Sequence, residues 1–276
     1  MPTIADVAEA LQINDHSAET VVIPGNYTIV RKKVGEILDS AGVSGNEYVH
    51  EIENLDEDIL QRELRLLFAG DDDIFEHSLK VAHRLKASSL ALLSVDDRTL
   101  VASLAEHNED KLNLREWVGK LRAEIADIVI YAPLLGMLHD VGKLLVPERL
   151  RRSSLNIEDM APQDQRLFVE EMRRHPFYGM KLTDTYLSDK FVNTIYYHHA
   201  YYKSQLGYPR GVEGVSLPLT TRLLSLVDSS SAMEDRAYNR NEGVKKYIVN
   251  EIETCKGTQF DPLLARLYLD YYYKDL

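Results

Sequence analysis

Helical periodicity runs through most of this sequence and predicts an all-α protein with a small mixed α/β segment at its N-terminus. Three observations carry that expectation. From Asp56 onward apolar residues recur at i, i+3 and i+4. Extended-looking stretches are confined to the first 55 residues, around the turn Pro24-Gly25-Asn26. A hydrophobic fraction of 45% over 276 residues is enough to bury a sizeable core.

In order along the chain, Ile4 to Leu11 reads as helical, Thr20 to Ile23 and Tyr27 to Val30 as extended, and Lys32 to Ser40 as helical again. Residues 1–55 are therefore expected to form a small N-terminal regulatory or sensory domain, and 56–276 the main domain. In the main domain Leu55, Ile59, Leu60, Leu64 and Leu67 form one stripe that Gly70 stops. Asp71 to Asp73 are placed to cap a helix running through His77 and Val81 to about Leu92. Further helices are expected at 98–107, 113–132, 134–140, 162–174, 178–187, 190–201, 219–234, 241–254 and 261–273.

Composition narrows the partners. Lys and Arg total 32 against 44 Asp and Glu, a formal charge of -12, and no basic run marks a polynucleotide groove. The single cysteine, Cys255, excludes an internal disulfide and fits a reducing compartment. Ile128 to Leu138, interrupted by Pro133 and Gly136, is too short for the roughly 20 residues a bilayer span needs. The N-terminus has no signal-peptide pattern, so a cytoplasmic location with no membrane contact is expected. Oligomeric state is open; the Tyr271-Tyr272-Tyr273 cluster is expected in the core.

The chemistry lies with the histidines. Of nine, His16, His50, His83 and His107 read as surface or satisfied core residues. His139-Asp140 is different, because it ends the apolar run Ala132 to Leu138, where a buried carboxylate needs a partner or a metal ion. Lys143 follows one helical turn after His139 and can meet a phosphate if the helix continues. His198 and His199 would diverge by about 100° on a helix, which suits two metals better than one. Against this stands a solvated His-His pair beside tyrosines.

Together these segments resemble the HD-GYP family, a branch of the HD phosphohydrolases. In order they are Asp73 to Ala82 with His77, His139-Asp140-Val141-Gly142-Lys143 with Val146-Pro147, His175-Pro176 with Gly179, and His198-His199. Gly207-Tyr208-Pro209, Leu224 to Asp228, Asp235-Arg236-Ala237-Tyr238 and Gly257 to Pro262 complete the series. The resemblance spans about residues 56 to 265. It implies an HD-type helical bundle that hydrolyses the bacterial messenger cyclic di-GMP to pGpG, GMP or both, with two or three divalent ions, iron or manganese. It implies His77, His139, Asp140, His175, His198, His199 and Asp228 as metal ligands, with Asp140 bridging two ions. Two dications acidify a shared water enough to attack phosphorus. Lys143 and Arg236 would neutralise phosphate charge, and Tyr208 would bond or stack with the ligand. Asp73, at i-4 from His77, is either an additional ligand or part of the helix cap. His77 is preferred to His107 as first ligand because a packed face follows it, which makes about 95–125 a helical insertion.

The chain departs from the family at Ala200, where Glu is usual, and at Lys203-Ser204-Gln205, Ser231, Ala237 and Asn239. None of these is in the ligand set. The resemblance thus implies a metal-loaded phosphodiesterase, slow or altered in substrate preference. Two other readings stay open: a cyclic di-GMP receptor that contacts a GGDEF-domain protein through an exposed Gly207-Tyr208-Pro209 loop, and a phosphohydrolase for another nucleotide.

Overall fold

The computed structural model describes residues 23–43, 55–107, 114–151, 160–203, 206–237 and 243–273. Among them the regular structure is helical: α1 Tyr27–Ser40, α2 Glu57–Leu67, α3 Asp72–Ser94, α4 Asp97–His107, α5 Leu114–Leu138, α6 Glu148–Arg151, α7 Pro162–Thr183, α8 Asp189–Tyr197, α9 Leu219–Ala237, α10 Val244–Cys255 and α11 Pro262–Tyr271. A 3-10 turn, Val141–Leu145, follows α5.

α3 and α5 lie along each other at the centre, with α9 against both. α5 takes that place because from Tyr131 to Leu138 it is apolar all round and every residue is buried. Together with the 3-10 turn that follows it, the stretch Leu114–Leu145 is by length and composition apolar enough to cross a bilayer, but 83% of its most apolar part is buried inside the protein, as in a core helix. Gly136 makes the close approach possible: a Cβ there would lie 2.2 Å from the Ala82 Cα of α3.

Several boundaries differ from expectation. The helices expected at 113–132 and 134–140 are one, through Pro133, and those at 162–174 and 178–187 are one, through Pro176. Proline removes one hydrogen bond and bends a helix; burial of the flanking Tyr131, Leu134, Phe177 and Tyr178 keeps the chain helical across it. Tyr27 to Val30, expected as a strand, forms the first turn of α1. The β-branched Thr28, Ile29 and Val30 favour an extended chain locally, but a helix buries Val34, Ile37 and Leu38 on one face. The Tyr27 hydroxyl donates to the Lys181 carbonyl of α7 at 3.0 Å. No strand occurs among residues 23–43; the element expected at Ile4 to Leu11, and all but Ile23 of the one expected at Thr20 to Ile23, lie outside the described residues. α1 shares its core with α2, through Val34, Leu38, Leu60 and Leu64.

Asp71 precedes α3 but makes no capping side-chain bond. It pairs instead with Arg151 at 3.2 Å. The stretch 95–125 contains α4 and the first half of α5, with Leu100, Leu104 and Val118 in the core. Arg122 closes its start, donating to the Leu93 carbonyl in the last turn of α3 and to that of Val95 just beyond it. At the C-terminus Tyr273 is buried, while Tyr271 is exposed.

Candidate metal centre

Four helix segments of the core converge with α7 on one cluster. α3 brings His77, the end of α5 brings His139 and Asp140, α7 brings His175, the end of α8 brings His198 and His199, and α9 brings Asp228. Their side-chain donor atoms form two adjoining groups, Asp140 with His175, His198 and His199, and His77 with His139 and Asp228. Five of the seven, His139, Asp140, His175, His198 and Asp228, are at most 5% exposed.

The backbone explains why these histidines sit where they do. The last carbonyls of a helix have no N–H partner within it. His139 donates its Nδ1–H to the Gly136 carbonyl at 2.8 Å, and His198 to that of Ile195 at 2.7 Å, both in final helical turns. His175 lies inside α7, yet the next residue is Pro176, which has no N–H to give Met172; His175 Nδ1 takes that freed carbonyl at 2.5 Å. In His175 and His198 this leaves Nε2 as a lone pair facing the cluster, and in His139 it turns Nε2 toward Asp140 and Asp228.

Those lone pairs face one another and the carboxylates. His175 Nε2 is 3.2 Å from His198 Nε2 and 3.2 Å from Asp140 Oδ1. His139 Nε2 is 3.3 Å from Asp140 Oδ2 and 3.6 Å from Asp228 Oδ1, and His77 Nε2 is 2.9 Å from Asp228 Oδ1. His139 Nε2 and Asp140 Oδ1 are buried with no hydrogen-bond partner. Two donors on one ion, each about 2.1 Å from it, lie about 3.0–3.4 Å apart, and the separations of His175 from His198 and Asp140, and of His139 from Asp140, fall in that range. Each oxygen of Asp140 faces a different group. Asp228 does the same, with Oδ1 toward His77 and His139 and Oδ2 3.9 Å from His199 Nδ1. Imidazole and carboxylate donors in this mixture suit a borderline dication.

Electrostatics agree. Burial works against charging His139, but Asp140 and Asp228 outweigh it and push it up to about 10. Burial, with His175 and His139 beside it, pulls His198 down to about 3, and holds His199 well below the usual range. Burial opposes ionisation of Asp140 and Asp228, yet Lys143 and the histidines hold both well below the carboxylate range. Asp228 and Asp235 outweigh burial at His77 and raise it as well. The site thus has ionised carboxylates and neutral imidazoles at His198 and His199, ready for a metal ion, while an ion at His139 would have to displace a proton.

Some expectations are corrected. His198 and His199 do not separate into different groups, because α8 ends at Tyr197 and the helical divergence does not apply. Lys143 lies on the 3-10 turn, not on a continuation of α5, and its ammonium donates to Asp140 Oδ2 at 2.5 Å. Gly207 and Tyr208 are buried, so the loop expected to be exposed is not. A Cβ at Gly207 would meet the Tyr201 nitrogen at 2.3 Å. The Tyr208 ring rests on His199, centroids 4.9 Å apart, and burial raises its phenol. Asp73 is exposed and in neither group, and Arg236 is exposed in the last turn of α9. Ser204, Gln205 and Asn239 lie outside the described residues.

Two contacts were not read from the sequence. The Arg173 guanidinium lies over the Tyr208 ring, 5.2 Å from its centroid. Asp235 Oδ2 is 2.8 Å from His77 Nδ1. Asp235 stands two turns after Asp228 on α9, and that i, i+7 spacing was the available signal.

A family profile described as HD domain matches residues 80–264, about two thirds of the chain. A cyclic di-GMP phosphodiesterase of Thermotoga maritima is 24% identical over 159 residues, 56% of this chain and 40% of that protein. A 3'3'-cGAMP-specific phosphodiesterase 2 of Vibrio cholerae is 24% identical over 143 residues, 49% of this chain and 25% of that protein. The chain thus aligns with less than half the length of either relative.

Proposed function

Since the chain belongs to the HD domain family, we propose that it is a metal-dependent phosphodiesterase of the HD-GYP type that hydrolyses cyclic di-GMP to pGpG, GMP or both. The observation that carries this reading is the pair of adjoining donor groups with Asp140 between them. His77, His139 and Asp228 would hold one ion, and His175, His198 and His199 a second, with Asp140 shared. Iron or manganese suits the mixed nitrogen and oxygen donors. When bound, the ions supply Lewis acidity toward phosphate oxygens and acidify water for in-line attack.

The remaining steps fall to the chain itself. Lys143, beside Asp140, sets a positive charge at the edge of the cluster for the scissile phosphate. The Tyr208 phenol, raised by burial, stays protonated and donates a hydrogen bond at neutral pH. Arg236, on the exposed end of α9, serves the second phosphate. The names of the two relatives support a cyclic dinucleotide as substrate. The burial of Gly207 and Tyr208 counts against a receptor that docks a GGDEF-domain protein through that loop.

The test is a turnover assay with anaerobically prepared protein loaded with iron or manganese, products separated by chromatography. Release of pGpG or GMP from cyclic di-GMP is expected. No product from cyclic di-GMP, cyclic GMP-AMP or a generic phosphodiester overturns the proposal.

A further inference from the structure

We propose that Asp235 is a positioning residue of the metal centre: its carboxylate accepts the Nδ1 proton of His77 and so aims Nε2 at the ion shared with Asp228. The inference rests on the metal-centre reading and not on the identity of the substrate. His139, His175 and His198 each use a backbone carbonyl of their own helix, freed by a helix end or by a proline. His77 has no such carbonyl. It stands in the second turn of α3, which continues to Ser94, and the carbonyls behind it serve the helix. Its acceptor must come from another element, and α9 supplies it.

The geometry is that of a clamp. Asp228 and Asp235 lie on one face of α9 and approach opposite nitrogens of the same ring, Oδ1 of Asp228 at 2.9 Å from Nε2 and Oδ2 of Asp235 at 2.8 Å from Nδ1. A carboxylate can only accept, so each contact calls for a ring N–H; an ion held between Nε2 and Asp228 would take the place of the Nε2 proton and leave the remaining one on Nδ1, toward Asp235. Asp235 is itself held, because Lys80, on the same face of α3 as His77, pairs with its other oxygen. A plain tether between α3 and α9 is already present in the adjacent Arg84–Glu234 pair at 2.6 Å. Ring orientation is what Asp235 adds.

The experiment is an anaerobic competition titration with a chelator of graded strength, on the full chain without nucleotide. Asp235→Ala is expected to weaken one of two bound ions by about 10- to 100-fold and leave the other. Asp235→Asn, whose amide oxygen can accept the same proton, loses less. Lys80→Ala severs the ion pair but keeps the His77 bond, and changes affinity by less than about fivefold. Nitrogen-15 NMR of the metal-loaded wild type is expected to show His77 protonated at Nδ1. Wild-type affinity for both ions in folded Asp235→Ala overturns the inference, as do equal losses in Lys80→Ala and Asp235→Ala. If Asp235→Ala does not fold, the Asn variant and the His77 tautomer decide, and an Nε2 proton on His77 overturns it. A wild-type chain that takes up no metal overturns the metal centre itself, and this inference with it.

Discussion

Asp140 is ionised, 1% exposed, and surrounded by groups that compensate its charge. An isolated buried carboxylate costs several kcal/mol; here Lys143 and His139 offset that cost at Oδ2. Asp140→Ala is therefore expected to lose both ions and all turnover, checked by metal content after gel filtration. Lys143→Ala keeps the ligands and mainly raises KM. The proton balance gives a further expectation for metal-free protein. His139, raised to about 10, contributes stability that is full below about 6.5 and is lost as pH rises toward 10. His198, lowered to about 3, contributes stability that is full above about 6.5 and is lost as pH falls. Melting in chelator should peak near pH 6.5, and loading with metal should flatten the alkaline side, because the ion replaces the His139 proton. A melting temperature that rises steadily to pH 10 in chelator contradicts this. The buried pair after an apolar run made His139 and Asp140 legible in the sequence. Asp235 was not, because its meaning depends on which nitrogen of His77 is already engaged.

At the scale of elements, the site depends on close backbone contacts. A Cβ on Gly142 would lie 2.0 Å from the His175 carbonyl oxygen and 2.3 Å from the Gly179 nitrogen, so the 3-10 turn and α7 touch through glycines. Gly142→Ala must separate Asp140 from His175; a loss of about 1–3 kcal/mol in stability and weaker metal binding are expected, measured by denaturation and titration. Pro176→Ala tests the freed carbonyl. The new N–H competes for Met172, so metal affinity should fall while helicity is kept or rises, by circular dichroism. Helix existence was legible from apolar spacing, but continuity was not. Pro133 and Pro176 signal breaks locally, and only the packing around them shows that the helices run on.

For the whole molecule, the functional residues come from stretches as far apart as His77 and Asp228, and the core that joins them is built on α3, α5 and α9. The order of motifs exposed this arrangement in advance, since the resemblance fixed which histidines meet. The N-terminal segment was less legible: Tyr27 to Val30 has strand propensity, and its helix is stabilised by contacts with α2 and α7 that no local window contains. The central proposal is a metal centre in which Asp140 would help to hold two ions. Its most direct test is the metal stoichiometry of anaerobically reconstituted protein, wild type beside Asp140→Ala, by elemental analysis. The expected result is two tightly held ions per wild-type chain and none in the variant; an equal metal content in the two proteins would contradict the account.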